Sequence, residues 1–274
     1  MDMRNLRVIV LAAERKGVAN PLAERFGTSH KCLIPLQRRP LIAHVLETLL
    51  AHPRVASIVI SIEQEAIAGV RAVLPLPEPG KPEIGFAVAA DNIADSVILA
   101  AQGHQGPLLI TTADNALLRP GSVDAIYSAL LANDVALAMA RRETVLAAHP
   151  EGQRRFYRFR DDQYSNCNLY GLAGNAALGA AEIFRGGGQF ARNARRIVDA
   201  FGLINLLLLR ARLITLSAGL RRISQRFGLS IAPVILDDGS QAIDVDNDRT
   251  YAIVQQLLEF RSAPAAPAPC REAA

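Results

Sequence analysis

The chain has 274 residues, is 50% hydrophobic and carries a net charge of +4, enough length and apolar content to bury the core of one large α/β domain. Its longest strongly apolar, uncharged run is the ten residues from Ala200 to Leu209, about half of what a bilayer span needs, and the opening lacks the apolar segment of a secretory signal. Three widely spaced cysteines (Cys32, Cys167 and Cys270) show neither metal-site spacing nor a disulfide framework, so the expected compartment is the cytoplasm.

Apolar runs rich in β-branched residues predict strands over Arg7–Leu11, Ala56–Ile62, Gly85–Ala89, Pro107–Thr111 and Val135–Ala140. Helical spacing of apolar residues falls between them, over Leu41–Ala51, Ala94–Gln102 and Ser122–Ala132. The alternation implies a mostly parallel sheet covered by helices. Four prolines and a glycine make residues 75–82 a turn and not a domain linker. Residues 156–172 alternate and fit an antiparallel hairpin. From Pro264 the Ala/Pro-rich tail reads as disordered, which leaves residues 1–262 as a single domain and 263–274 as tail.

The first predicted strand feeds a loop carrying Glu14, Arg15, Lys16, Gly17, Arg25, Gly27 and Lys31. A charged, glycine-punctuated loop beyond a strand's carboxyl end is where α/β folds hold phosphates. The chain has three lysines against twenty-seven arginines, and two of the three lie in this loop. The bland alternative is a βα loop of solvated charges.

Acidic residues mark two further places. Asp114 lies just past the strand ending near Thr112, where a carboxylate can hold Mg²⁺; read alone, Asp114-Asn115 also fits a helix-capping turn. Near the C-terminus, Ala242–Asp246 reads as a short strand with Asp244 and Asp246 on one face, and Asp248 suits the start of the following helix. Ser96 stands at the beginning of a helix, where it either bonds a nucleotide base or caps the helix. Asn166 and Asn168 lie on the predicted hairpin, as ligand-facing or simple turn residues.

Charge is uneven along the chain. Between Arg185 and Gly228 nine arginines and one acid, Asp199, give +8, leaving about −4 elsewhere, which suggests a local anionic partner and no general nucleic-acid binding. Two apolar stripes at helical spacing run through this segment. They are Phe190, Ala194, Ile197, Val198 and Phe201, then Leu213, Leu216, Leu220, Ile223 and Phe227. Either the helices pack on the sheet with arginines outward, or they lie on an anionic bilayer surface.

The order of Leu11-Ala12-Ala13, Arg25-Phe26-Gly27, Lys31 and Arg39-Pro40-Leu41-Ile42 resembles the MobA-like NTP transferases of the GT-A type. That family opens with LAAGxGxRxG followed by a lysine. Here Glu14 stands at the first glycine, and the eleven residues from Glu14 to Glu24 precede the arginine. The aspartate followed by Leu117-Leu118 and a helix, and the Asp244-x-Asp246 segment, resemble the family's two later motifs.

The resemblance implies a GT-A-like three-layer α/β fold with a mostly parallel mixed sheet and a helical insertion near residues 185–228. It implies transfer of a nucleoside monophosphate from an NTP, with CTP or GTP favoured, to a phosphorylated small-molecule acceptor, releasing pyrophosphate. The implied roles are Lys31 and Arg25 on the phosphates, Ala12, Ala13, Arg15 and Ser96 on the nucleotide, Asn168 on the acceptor, and Asp114 and Asp246 on Mg²⁺. Because Asp244-Val245-Asp246 is also an Asp-x-Asp, a nucleotide-sugar glycosyltransferase is the alternative. A nucleotide-binding or membrane-docking protein without catalysis is a further one.

Overall fold

The computed structural model describes residues 5–14, 20–184, 207–208 and 210–262. The stripe from Phe190 to Phe201, Arg15 and the tail from Pro264 lie outside the described residues.

The elements in chain order are β1 (Leu6–Leu11), α1 (Pro21–Arg25), β2 (Pro35–Leu36), β3 (Arg39–Pro40), α2 (Leu41–Ala51), β4 (Val55–Ile62), α3 (Ile67–Arg71), β5 (Glu83–Val88), α4 (Ile93–Ala101), β6 (Leu108–Thr112), α5 (Pro120–Leu130), β7 (Val135–Arg141), α6 (Arg142–Ala148), β8 (Tyr157–Arg158), β9 (Gln163–Leu172), α7 (Leu216–Phe227), β10 (Ile231–Leu236) and α8 (Asp248–Ser262). The main sheet runs β10-β7-β9-β6-β1-β4-β5, with β8 paired to β9. Strand β9 alone is antiparallel to its neighbours β6 and β7, while the other pairs along that path are parallel. The fold is therefore a mixed, mostly parallel α/β sheet.

Alternation along β1 sends its side chains to two cores. Leu6, Val8 and Val10 pack with α2, α3, α5, α6 and α8 on one face. Ile9 packs on the other with α4 and the 3₁₀ turns of residues 175–184. The result is three layers, as expected. The five strands and three helices predicted in alternation are all present, with ends shifted by up to two residues.

One local expectation is corrected, and one strand, β10, lies outside the predicted set. Strand β10 was not legible because Pro233 cannot donate to a ladder. It is tolerated because β10 lies at the sheet's edge, beside β7 only. Residues 243–246 form no strand. A 3₁₀ turn, Gly239–Ala242, brings them across the end of the sheet, and there the chain satisfies itself locally, with Asp246 N–H donating to Thr250 Oγ1 at 2.9 Å. The alternation survives, since Ile243 and Val245 are buried in the core.

That 3₁₀ turn is tightly held. A Cβ on Gly239 would sit 2.2 Å from the backbone carbon of Thr144, so only glycine lets it approach α6 this closely. Gln241 Oε1 accepts from Ser122 Oγ at 2.7 Å and Arg119 N–H at 3.1 Å, and Arg261 donates to Asp238 at 2.9 Å.

In the basic segment, the described end is α7. Thr215 caps it by accepting from Ala218 N–H at 3.2 Å, and Gly228 ends it at φ 64°. Leu216 and Ile223 are buried while Arg221, Arg222 and Arg226 are exposed, which matches packing on the sheet with arginines outward.

Candidate active site

The chain runs from β1 to β4 and β5 on one side, then crosses to β6 on the other. Order reverses between β1 and β6, and the crevice beyond the carboxyl ends of such strands is where open α/β sheets hold ligands. Leu11 and Thr112 are register partners at that edge. Glu14 follows the first strand and Asp114 the second.

Lys31 occupies this crevice. Its Nζ donates to Asp114 Oδ2 and, at 2.7 Å, to Asp246 Oδ1. Three segments far apart in sequence thus share one ion cluster. The Lys31 and Asp114 side chains are 18% and 15% exposed, whereas Asp246 is 66% exposed, so the cluster opens to solvent on the Asp246 side. Burial disfavours the Lys31 charge, but Asp114 and Asp246 outweigh it and hold the ammonium above the ordinary lysine range. Burial likewise penalises Asp114, yet the Lys31 charge and hydrogen bond keep its carboxyl below the usual carboxylate value.

Asp244 is the third carboxylate here. Burial, then the charges of Asp114 and Asp246, push it well above the usual carboxylate range. Asn168 Nδ2 donates to its Oδ2 at 2.6 Å. Register between β7 and β9 shifts between Leu137 and Met139, and Asn168 has φ 47°. This bulge turns the asparagine out of the ladder toward the carboxylates. Asn166 Nδ2 donates to Asn168 Oδ1 at 2.8 Å and so fixes its orientation. One oxygen each of Asp114 and Asp244 is buried without a hydrogen-bond donor.

The lysine loop is held from two sides. Glu14 Oε1 accepts the Lys31 backbone N–H at 2.5 Å, and the Glu14 N–H donates to Glu63 Oε1 at 2.7 Å. Glu14 is thus turned onto the loop's backbone. Sequence reasoning gave it no such role, although its place at a glycine position was visible. On the other side, Arg25 pairs with Asp248, Phe26 packs on Tyr251 with centroids 4.9 Å apart, and the Tyr251 hydroxyl donates to Pro35 O at 2.7 Å.

The remaining candidates divide. Ala12 and Ala13 lie at the end of β1, with Ala12 N–H bonded to Ser61 O at 2.9 Å. Ser96 is buried in the first turn of α4. Its hydroxyl donates to Asn92 O at 2.9 Å and accepts from Ala90 N–H at 3.0 Å. The cap of that helix is Asn92, which accepts from Asp95 N–H at 2.9 Å. The capping-turn alternative for Asp114-Asn115 does not hold. Asn115 is buried and its Nδ2 donates to Cys167 O at 3.1 Å, while α5 starts at Pro120 after Arg119. The helix after Asp246 is capped by Asn247, which accepts from Thr250 N–H at 3.2 Å; Asp248 sits in the first turn.

Comparison with solved structures agrees with this fold. A hypothetical transferase from Thermus thermophilus superposes with TM-score 0.71 at 21% identity, covering 90% of this chain and 99% of that one. The 4-diphosphocytidyl-2C-methyl-D-erythritol synthase of Anaerococcus prevotii gives 0.57 at 9% identity, covering 94% and 97%. A CMP:2-keto-3-deoxy-manno-octonic acid synthetase complexed with CTP gives 0.55 at 14% identity, covering 94% and 99%. No curated protein sequence matches. The profile of the MobA-like NTP transferase domain matches residues 8–222, most of the chain. With its lysine loop, strand-end aspartate and mixed sheet, the chain belongs to the MobA-like NTP transferase family and is a nucleotidyltransferase.

Proposed function

We propose that this enzyme transfers a nucleoside monophosphate from an NTP to a phosphorylated small-molecule acceptor and releases pyrophosphate, with Mg²⁺ as cofactor. The observation that carries this reading is Lys31 set between Asp114 and Asp246 at the crevice where the strand order reverses. CTP and GTP are the favoured donors, and the CTP complex of a structural neighbour supports the former. The same reading takes residues 1–262 as one domain, supported by a core that includes both Leu6 and Val254.

Asp114 and Asp246 are the residues that would hold Mg²⁺. Both already contact one cation, the donor atoms are hard oxygens, and buried carboxylate oxygens lack donors. Mg²⁺ commonly takes one or two carboxylates and completes its shell with waters and substrate phosphate oxygens. When bound, it supplies charge neutralisation and alignment of the phosphates.

In this mechanism Lys31 swings from its carboxylates to the phosphates, and Arg25 at the exposed rim meets the same charge. An oxygen of the acceptor attacks the α-phosphorus in line, the bond to the β-phosphate oxygen breaks, and pyrophosphate leaves with the negative charge. Asn168 orients the acceptor from the Asp244 side. Catalysis is then positioning and charge stabilisation. Neither described thiol serves as nucleophile in this scheme: Cys32 and Cys167 are buried, and burial pushes Cys32 up to about 12.

The test measures thermal unfolding of the chain with each of the four NTPs, with and without Mg²⁺, followed by pyrophosphate release with phosphorylated acceptors. Preferential protection by one NTP and Mg²⁺ is expected, since a ligand that binds the native state raises Tm. No protection by any NTP would overturn the proposal.

A further inference from the structure

Arginines from two distant parts of the chain meet on one surface. Arg154, Arg155, Arg158 and Arg160 lie on and around β8, and Arg210, Arg212, Arg221, Arg222 and Arg226 lead into and lie on α7; all nine are exposed. The two segments are joined. Arg160 N–H donates to Ile214 O at 2.9 Å, Leu216 N–H donates to Asp161 Oδ1 at 3.1 Å, and Phe159 packs with Leu216 and Leu220. Residues 154–162 and 210–228 contain two acids, Asp161 and Asp162. Both already accept hydrogen bonds within the protein, Asp161 from Leu216 N–H and Asp162 from Gln163 N–H at 2.6 Å.

The surface also carries apolar side chains in the open. Tyr157 is 42% and Leu213 62% exposed. Guanidinium groups mixed with exposed aromatic and leucine side chains suit a bilayer interface, where phosphates take the charge and the apolar groups enter at headgroup depth. A single soluble phosphate would need donors converging on one point, whereas these arginines are spread over two elements.

The β8–β9 end of the surface lies at the active-site edge of the sheet, and α7 runs from there back toward the start of β10, where Ile231 pairs with Val135 and its N–H donates to Ser224 Oγ at 3.0 Å. Tyr164, at the start of β9, pairs with Arg141 at the carboxyl end of β7, and the parallel strands β1 and β6 end around Glu14 and Asp114. No helix among the described residues is long and apolar enough to cross a membrane, so attachment would be peripheral. We propose that the surface formed by the β8–β9 hairpin and α7 docks the enzyme on an anionic lipid bilayer, with the crevice near the headgroups.

The test is flotation of the full chain with vesicles of phosphatidylcholine alone or mixed with phosphatidylglycerol, without nucleotide. Its readout is therefore independent of NTP turnover, and its failure leaves the proposed reaction standing. Binding to the anionic vesicles should exceed binding to neutral ones by at least about tenfold. It should fall between about 0.1 M and about 1 M salt, as the screening length drops from about 10 to about 3 Å.

Replacing Arg154, Arg155, Arg158 and Arg160 by Gln together, or Arg221, Arg222 and Arg226 by Gln together, should each weaken binding by at least about tenfold. Lys81→Gln, a basic control in the proline-rich turn, should bind as the native chain does. Circular dichroism establishes that each variant is folded, and the salt dependence of the native chain tests the idea without any variant. Equal, negligible binding to both vesicle types overturns the proposal. So does binding that survives either folded arginine variant. Stabilisation by inorganic polyphosphate without vesicle binding would reassign the surface to a soluble polyanion.

Discussion

Glu14 accepts the backbone N–H of Lys31 at 2.5 Å, across a sequence separation of 17. The acid stands where the motif LAAGxGxRxG has its first glycine, and it ties the lysine loop to the end of β1. Its own N–H is held by Glu63 at 2.7 Å, so the strut continues to the end of β4. The carboxylate is thus engaged by a peptide group of the loop itself.

Glu14→Ala should therefore loosen the lysine loop and lower kcat/KM by about tenfold, roughly 1.4 kcal/mol. Glu14→Gln keeps a carbonyl acceptor and should retain most of the activity. Steady-state pyrophosphate release for the two variants checks this; equal losses would show that the negative charge, and not the strut, is what matters.

Lys31→Ala should reduce turnover by at least about tenfold, and the structure adds a stability effect. Truncation leaves Asp114 without its cation, at a cost of about 2–3 kcal/mol, below that of a fully buried pair because Asp246 is open to solvent. Asp114 is held below its ordinary pKa, so its pairing stabilises above the unfolded carboxylate value of about 3.9 and is lost as pH falls through the lower folded value. Lys31 is held above its ordinary value, so its contribution is present below about 10.4 and lost as pH rises through the folded value. Denaturation of metal-free protein across pH should show the native-minus-variant difference largest between these limits and shrinking outside them.

Asp244→Asn should stabilise the metal-free fold near neutral pH. The carboxyl is pushed well above its ordinary range, so the folded state binds more protons than the unfolded state, and native stability falls as pH rises above about 3.9. The amide mimics the protonated acid and can still accept from Asn168. The variant's Tm advantage should grow with pH above that value and vanish below it. An advantage independent of pH would point to packing instead.

Asp114→Ala and Asp246→Ala should each abolish Mg²⁺-dependent pyrophosphate release. Their combined effect should be well short of additive, because both serve one ion. Arg25→Ala differs from both. Its pair with Asp248 is exposed, with side chains 57% and 71% accessible, so unfolding should change by less than about 1 kcal/mol while the KM for NTP rises. A fall in Tm of many degrees would assign Arg25 to the scaffold.

Gly239→Ala tests the support of the carboxylate segment. The added methyl meets the Thr144 backbone, which has no rotamer to yield. Stability should drop by about 1–3 kcal/mol, and pyrophosphate release should fall with it as Asp244 and Asp246 move. Full activity in a folded variant would show that the segment is positioned from elsewhere.

Much of the scaffold was legible because its causes are local. Runs such as Arg-Val-Ile-Val-Leu alternate between two cores, and Leu41–Ala51 repeats its apolar face every turn, so strand and helix follow from neighbours in sequence. Asp114 was visible for the same reason, as a charge just past a predicted strand, and Lys31 as one of three lysines, in the charged loop that follows another. Where local rules misled, a tertiary condition prevailed. Pro233 is acceptable because β10 has a neighbour on one side only, and residues 243–246 resemble a strand but find no strand partner.

The sequence by itself determined the elements and the residue types available for phosphate and metal chemistry. Tertiary structure alone decided which of them meet. Lys31 lies 83 residues from Asp114 and 215 from Asp246, and no periodicity reports contacts at that range. The bulge that turns Asn168 onto Asp244, the strut from Glu14, and the joining of the β8 arginines to those of α7 likewise depend on which strands pair. Pairing is fixed by the burial of two whole faces of a sheet, a property of the assembled core and not of any one segment.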